Sequence, residues 1–292
     1  MKAPPFGYAR AVSLADAHRL LAAHGSSARV MAGGQSLLAG LAFRLSDPSI
    51  LIDISRVPEL RGISLNSTGH LSIGALTTHA ALGRDPLVRT NAPLIADAAP
   101  LIAHAAIRNR GTIGGSLAYA DPAAELPACC VALRASIVAT SPRGERRIPA
   151  AAFFTGLFTT ALAPDELILA VDVPTATAGS VAVILELTRR SGDYAMAGIA
   201  LAAESKGAAP AQVRPVFFGV GATPVLAQGA GAALAAGGFT ADAVSTAQAA
   251  LDQDLDPPGD MHGGSEFKRQ LARVLLARAV AQLQPKNKAR AA

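Results

Sequence analysis

The sequence predicts an α+β protein of two packed domains. The chain has 292 residues, beyond the size at which a single hydrophobic core usually stops growing. Residues 1–175 alternate short apolar strand signals with capped helical stretches, whereas residues 181–220 carry three successive strand signals, with helical patterns only after them. Hydrophobic residues make up 51% of the chain and charged ones 16%, which excludes a disordered chain. With 9 Phe, 3 Tyr and no Trp, the core falls to Ala, Leu, Val and Ile.

The first helix is legible from its ends. Ser13 is an N-cap with Asp16 three residues on, Leu14, Ala17, Leu20 and Leu21 share a face, and Gly25 closes the helix. A strand follows at Arg29–Ala32, then the turn Gly33-Gly34-Gln35-Ser36, an apolar helical stretch Leu37–Phe43 and a buried strand Ile50–Ile54. Residues 1–55 thus form a small α/β unit. A second unit spans 56–175, with a strand at Leu71–Ala75, a helix capped by Thr77 or Thr78, and a helix over Pro93–Ala106. Asp121-Pro122 has the form of a cap plus a proline at the first helical position, predicting a helix to about Arg134. Strands are expected at Ser136–Thr140 and Glu166–Val173. Pro174–Gly179 has linker composition and opens the second domain, 178–284. That domain has antiparallel strands at Val181–Thr188, Tyr194–Ala203 and Val213–Val220, then helices at Thr240–Leu251 and Ser265–Gln284. Residues 285–292 form a basic tail.

Charge and cysteines narrow the function classes. The net charge is +5, and Lys268, Arg269, Arg273, Arg278, Lys286, Lys288 and Arg290 concentrate it at the C-terminal end; residues 1–267 are at −2. Such a distribution describes one helix face and a tail, not a nucleic-acid groove. Cys129 and Cys130 are the two cysteines, too few for a four-thiolate cluster or zinc site, and mid-helix among apolar residues they read as core thiols. No H-x-x-x-H or H-E-x-x-H spacing points to a metal. The N-terminal segment lacks the apolar region of a signal peptide, and the uncharged stretch 215–241 is broken by Pro224 and glycines. The expectation is a cytoplasmic protein with no membrane span.

Two loops carry the chemical signal. Ala32-Gly33-Gly34-Gln35-Ser36 joins a strand to a helix, where glycines let backbone N–H groups approach an anion and the helix start adds partial positive charge. Thr112-Ile113-Gly114-Gly115-Ser116 supplies the same ingredients. Neither continues into Gly-Lys-Ser/Thr and neither fits G-x-G-x-x-G, so a P-loop and a Rossmann fingerprint are both absent. Two such loops suit the pyrophosphate of a dinucleotide; singly, each is also a tight strand-to-helix turn.

The sequence resembles the FAD-binding medium subunits of molybdenum hydroxylases, the group that includes carbon monoxide dehydrogenase-like and xanthine dehydrogenase-like enzymes. The resemblance rests on Ala32–Ser36 followed by Leu37-Leu38, on Ile107–Ser116, on Ala120–Pro127, on Gly192-Asp193-Tyr194-Ala195 and on Gly259–Lys268, in the family's order. It implies a PCMH-type FAD-binding domain of two α/β subdomains, and a C-terminal domain with a three-stranded antiparallel sheet and a helical bundle. It implies that Ala32, Gly33, Gly34, Gln35, Ser36, Thr112, Ile113, Gly114, Gly115 and Ser116 contact the pyrophosphate and ribityl chain of FAD. Glu125 matches the family's acidic flavin contact, and Tyr194 an aromatic beside the isoalloxazine. One departure stands out: where the family often has lysines before Gly-Asp-Tyr, this chain has Glu186-Leu187-Thr188-Arg189-Arg190.

Each of these residues also has a plainer reading. Tyr194 suits a half-buried strand. Glu125 suits a first helical turn. Asp121 reads as an N-cap rather than a ligand. Arg108 and Arg110 flank the second loop, where they could position the adenine–phosphate end of the cofactor or a partner chain, and are equally ordinary solvent-facing loop arginines. The resemblance implies an oxidoreductase subunit in which FAD passes electrons from iron–sulfur clusters to an external acceptor. The clusters belong to a small subunit and the molybdopterin to a large one, in a dimer of heterotrimers. The basic C-terminal helix and the Arg-rich second loop are candidate docking surfaces. A self-contained PCMH-type flavin oxidoreductase and a non-catalytic nucleotide-binding scaffold are the alternatives.

Overall fold

Parallel pairing opens the chain in this computed structural model, which describes residues 2–206, 209–261 and 263–284. Strands β1 (Gly7–Arg10) and β2 (Ala28–Met31) flank β3 (Ile50–Asp53), and both run parallel to it. Helix α1 (Leu14–His24) connects the first two, with the Ser13 hydroxyl accepting the Asp16 N–H at 3.1 Å and Gly25 closing it at φ +52°. Its Ala17, Leu20 and Leu21 are buried against Ile52, Ile54 and Leu60. The short helix α2 (Leu37–Ala42) follows β2 after the Ala32–Ser36 turn. Strand β1 escaped the sequence reading because its residues are largely exposed and do not alternate.

The next unit is a five-stranded antiparallel sheet with helices on one face. Its strands are β4 (Ile63–Leu65), β5 (His70–Gly74), β6 (Ser136–Ser141), β7 (Gly144–Pro149) and, after a small hairpin β8 (Phe154–Gly156) and β9 (Thr159–Thr160), β10 (Leu167–Pro174). The sheet order is β4-β5-β10-β6-β7. Between β5 and β6 lie α3 (His79–Leu82), α4 (Pro86–Asn91), α5 (Pro93–Ala98), α6 (Ala105–Arg108), α7 (Ile113–Tyr119) and α8 (Glu125–Ala132); α9 (Ala150–Phe153) follows β7.

Two helix expectations fail here. The helix read over Pro93–Ala106 stops at Ala98, and the chain turns through Ala103 at φ +41° before α6. The helix expected to open at Asp121-Pro122 starts four residues later. Asp121 instead accepts the Ala123 N–H at 2.9 Å in a local turn, an alternative that Asp offers its own backbone.

The third unit has β11 (Ser180–Leu187), β12 (Ala197–Lys206) and β13 (Ala209–Phe218) in antiparallel order, and the two-residue β14 (Val225–Leu226) extends this sheet to four strands. Helices α10 (Gln228–Gly237), α11 (Ala241–Asp254) and α12 (Ser265–Leu283) cover one face. The other face packs on the five-stranded unit: Ile184, Ala200, Ala202, Val216 and Phe218 share a core with residues of β5, α5, α8, β6 and β10, while Ile199, Leu201 and Phe217 face the helices. Period-2 alternation along each strand produces this division. The expected basic tail, 285–292, lies outside the described residues.

Candidate functional site

The two glycine loops meet. A Cβ placed on Gly33 would fall inside the carbonyl oxygen of Arg110 and 3.0 Å from the Cα of Gly111, so only glycine allows this approach. A Cβ on Gly115 would lie 3.9 Å from that of Ala32. Gly34, at φ +73°, turns the chain into α2, and Gln35 Nε2 donates to the Gly33 carbonyl at 3.0 Å. Among the described residues, the backbone N–H groups of Gly33, Gly34, Gln35 and Ser36 have no hydrogen-bond partner, and the Ser36 hydroxyl caps nothing. Adjacent unpaired N–H groups in a glycine turn form an anion-binding concavity.

The second loop contributes differently. Its amides are already engaged: Ile113 N–H donates to Thr77 O at 3.0 Å, Gly114 N–H to Ala75 O at 2.9 Å, and Gly115 N–H to Thr112 Oγ1 at 3.1 Å. Ser116 N–H donates to Thr112 O at 2.9 Å. A Cβ on Gly114 would meet Ala75 at 2.6 Å, so this glycine serves close packing on the strand end. The free donors therefore sit on Ala32–Ser36, and Thr112–Ser116 supplies shape, the capped start of α7 and the Ser116 hydroxyl.

Helix α7 links this end to a second chemical region. Seven residues span about 10 Å, and the helix ends at Ala120, left-handed at φ +52°. There Tyr119, Asp121 and Glu125 come together with Tyr194. Tyr194 is not on a strand, as its sequence context suggested; it lies in the connection before β12 and is 67% exposed. Glu125 is the first residue of α8. Burial, then the neighbouring charges of Glu186 and Asp121, push its carboxyl up to about 8. Burial likewise raises Asp121, and raises Glu186 to about 7. Tyr194 is raised by burial of its hydroxyl and by the charges of Asp121, Tyr119 and Glu125.

Two residues of this region went unread. His79 is 6% exposed, both its ring nitrogens lack a hydrogen-bond partner, and the ring lies under Gly111, where an added Cβ would come within 2.9 Å. Burial lowers its pKa to about 4, so the ring is neutral near pH 7. Glu186, noted in sequence only as a missing lysine, has a buried Oε2 with no partner. No local pattern marks either one, because each is buried by chain distant in sequence.

The candidate docking cations prove largely occupied. Lys268 is buried and donates to Gly219 O at 2.9 Å and Asp260 Oδ2 at 2.5 Å. Arg269 and Arg273 pair with Glu266 and Asp252. Arg108 donates to the carbonyls of Ile102 and Ala103 at 2.9 and 2.6 Å. Arg110 and Arg278 remain the uncommitted cations of the two surfaces among the described residues.

Comparison with known proteins matches this architecture over its whole length. Residues 4–176 match the family described as FAD binding domain in molybdopterin dehydrogenase, and residues 183–283 match the CO dehydrogenase flavoprotein C-terminal domain. The chain is 42% identical to the 6-hydroxypseudooxynicotine dehydrogenase complex subunit alpha of Paenarthrobacter nicotinovorans, over 97% of this chain and 95% of that one. It is 36% identical to the carbon monoxide dehydrogenase medium chain of Hydrogenophaga pseudoflava, over 95% and 96%. A solved carbon monoxide dehydrogenase from Hydrogenophaga pseudoflava superposes with TM-score 0.94 at 37% identity, covering 97% of this chain and 98% of that one. Quinoline 2-oxidoreductase from Pseudomonas putida 86 superposes at TM-score 0.90 and 35% identity, with 97% and 98% covered. The resemblance seen in the loop sequences thus extends to fold and full length, and the chain belongs to the FAD-binding medium subunits of the molybdenum hydroxylases, as an oxidoreductase subunit of a molybdopterin dehydrogenase.

Proposed function

We propose that this chain binds FAD with its diphosphate on Gly33, Gly34, Gln35 and Ser36. The ribityl chain then runs along α7, and the isoalloxazine lies near Tyr194 and Glu125. The observation that carries this reading is the run of four unpartnered N–H groups beside a loop that only glycine lets approach. Ala32, Thr112, Ile113, Gly114, Gly115 and Ser116 complete the walls of that cradle. The FAD domain covers 1–175, of which 1–55 and 56–175 are the two subdomains, and the C-terminal domain covers 178–284.

Bound FAD supplies two-electron chemistry with access to single-electron steps, and the protein's part is to place the ring and set its surroundings. In this reading the chain takes electrons from iron–sulfur clusters on a small subunit, reduced by a large molybdopterin subunit, and passes them to an external acceptor. The assembly is a cytoplasmic dimer of such heterotrimers. The two cysteines, both buried in α8, leave cluster ligation to another chain.

The purified chain, mixed with FAD and freed of excess, should retain one flavin with its absorbance spectrum. Gly33→Ala should lose that retention, because the methyl drives the loops apart at an overpacking cost of about 1–3 kcal/mol. A wild-type chain that holds no flavin, or a Gly33→Ala variant that holds it equally well, would overturn the reading.

A further inference from the structure

The face of the third sheet that meets the five-stranded unit is apolar between two charged residues, Arg214 at one end and Glu186 at the other. Along β11, Ala182 and Ile184 face that side, and the same alternation carries Glu186 there. Glu186 pairs with Gly198 of β12, which in turn pairs with Phe218 of β13. Helix α8 packs against β12 and β13, and its direction is given by its far end. Arg214, opposite Ala202, donates to the Val131 and Ala132 carbonyls at 2.9 and 3.1 Å. The C-terminus of α8 is thus over the Ala202 end of the sheet, and its first residue, Glu125, is over the Gly198 and Glu186 end.

Two half-buried carboxyls from different domains are therefore brought to the same end of the shared interface, where α7 delivers the chain to Tyr194. Among the described residues neither has an ion-pair partner, and Glu186 Oε2 has no hydrogen-bond partner. The other titratable groups around them do not relieve the charge. Asp121 is an acid, the Cys129 thiol one turn along α8 is kept protonated by burial, and Tyr119 and Tyr194 add further hydroxyls. The ring of His104 lies under Gly192 of the β11–β12 connection, and Lys268 is held by Gly219 and Asp260. Like charges so placed do not both ionise while a proton is available.

We infer that Glu125 and Glu186 form a proton-sharing pair at the ring end of the flavin site, and that the protonation of this pair is linked to the redox state of the flavin. The inference rests on the proposed FAD site for the second clause only. An acid that keeps its proton presents a neutral O–H donor to the ring, whereas the ionised pair presents negative charge that opposes electrons arriving there. By linkage the effect is reciprocal: added electrons on the flavin favour the protonated pair. Because the two acids interact, their titration belongs to the pair and not to either residue.

The first test needs no flavin. The protonated-carboxyl C=O infrared band of the whole chain, followed from pH 5.5 to 9.5, should lose two carboxyl equivalents in the wild type. Each of Glu125→Gln and Glu186→Gln should lose one, and the double variant none. A wild type without the band at pH 6, or a double variant that titrates like the wild type, overturns the pair. The second test uses the FAD-loaded chain. The flavin midpoint potential should show a break in its pH dependence across the same range, absent from the double variant, whose potential at pH 9 should lie above the wild type's. An identical pH dependence in both proteins overturns the redox linkage. Failure of the chain to bind FAD sinks the proposed cofactor site and leaves the infrared result to decide the pair.

Discussion

His79 shows how a single side chain is bound to its surroundings. Its imidazole sits beneath Gly111, its backbone N–H donates to Gly111 O at 2.9 Å, and Gly111 is the residue Gly33 approaches from the other loop. The ring supports the meeting of the two loops, and burial holds it neutral with a pKa of about 4 against 6.5 in the unfolded chain. The unfolded state therefore binds more protons between those values. The stability contributed by neutral His79 is complete above pH 6.5 and is lost as pH falls toward 4, amounting to about 3 kcal/mol in all. Urea unfolding at pH 7 and pH 4.5 should show a smaller drop in His79→Gln than in the wild type, by about one proton's worth of slope. Equal drops in the two proteins would contradict the assignment. Nothing in Thr78-His79-Ala80 marks that histidine in the sequence, whereas Gly33-Gly34 between a strand and a helix was legible as one of two similar loops, although a single such pair is also an ordinary tight turn.

Helices show the same division between local signal and distant support. α1 was readable because Ser13, Gly25 and the spacing of Ala17, Leu20 and Leu21 lie within the element itself. α10 was not, since its sequence Gln228–Gly237 has three glycines and no cap of its own. The cap comes from the end of α11: the Asp254 carboxylate accepts the Gly229 N–H at 3.0 Å and the Ala230 N–H at 2.8 Å. Gly231, meanwhile, lets the helix settle on β13, where a Cβ would meet the Val213 carbonyl at 2.6 Å. Asp254→Ala should cost about 1–2 kcal/mol, the usual value of an N-cap, and lower the thermal midpoint without altering the flavin spectrum. Asp254→Asn should recover most of the loss; no loss in the alanine variant would mean that packing alone holds α10. The end of α5 at Ala98 and the turn at Asp121 were misread for the complementary reason. Ala-rich periodicity continued past the point where the chain has to turn toward the second loop, and a cap signal at Asp121 was satisfied four residues before α8 begins.

At the scale of the molecule, the two family regions share one core. Ile184, Ala200, Val216 and Phe218 of the C-terminal sheet pack with Leu94, Ile95, Leu126 and Cys130 of the FAD-side helices, and Gly219 N–H donates to Pro122 O at 2.8 Å. A chain ending after residue 176 should therefore expose the apolar faces of α5 and α8 and associate or precipitate, a state that size-exclusion chromatography and dye binding would detect. A monodisperse, cooperatively folding fragment would show that this shared core is dispensable. The sequence by itself determined the elements whose signals are local: the two glycine loops, the capped first helix, the alternating strands of the C-terminal sheet and the family to which their order belongs. Tertiary structure alone decided which loop keeps free N–H donors, which cations remain uncommitted among the described residues and which carboxyls share one end of the interface. Hydrogen bonding and desolvation depend on what lies across the chain, and residues 125 and 186 become neighbours only when helix and sheet close on each other.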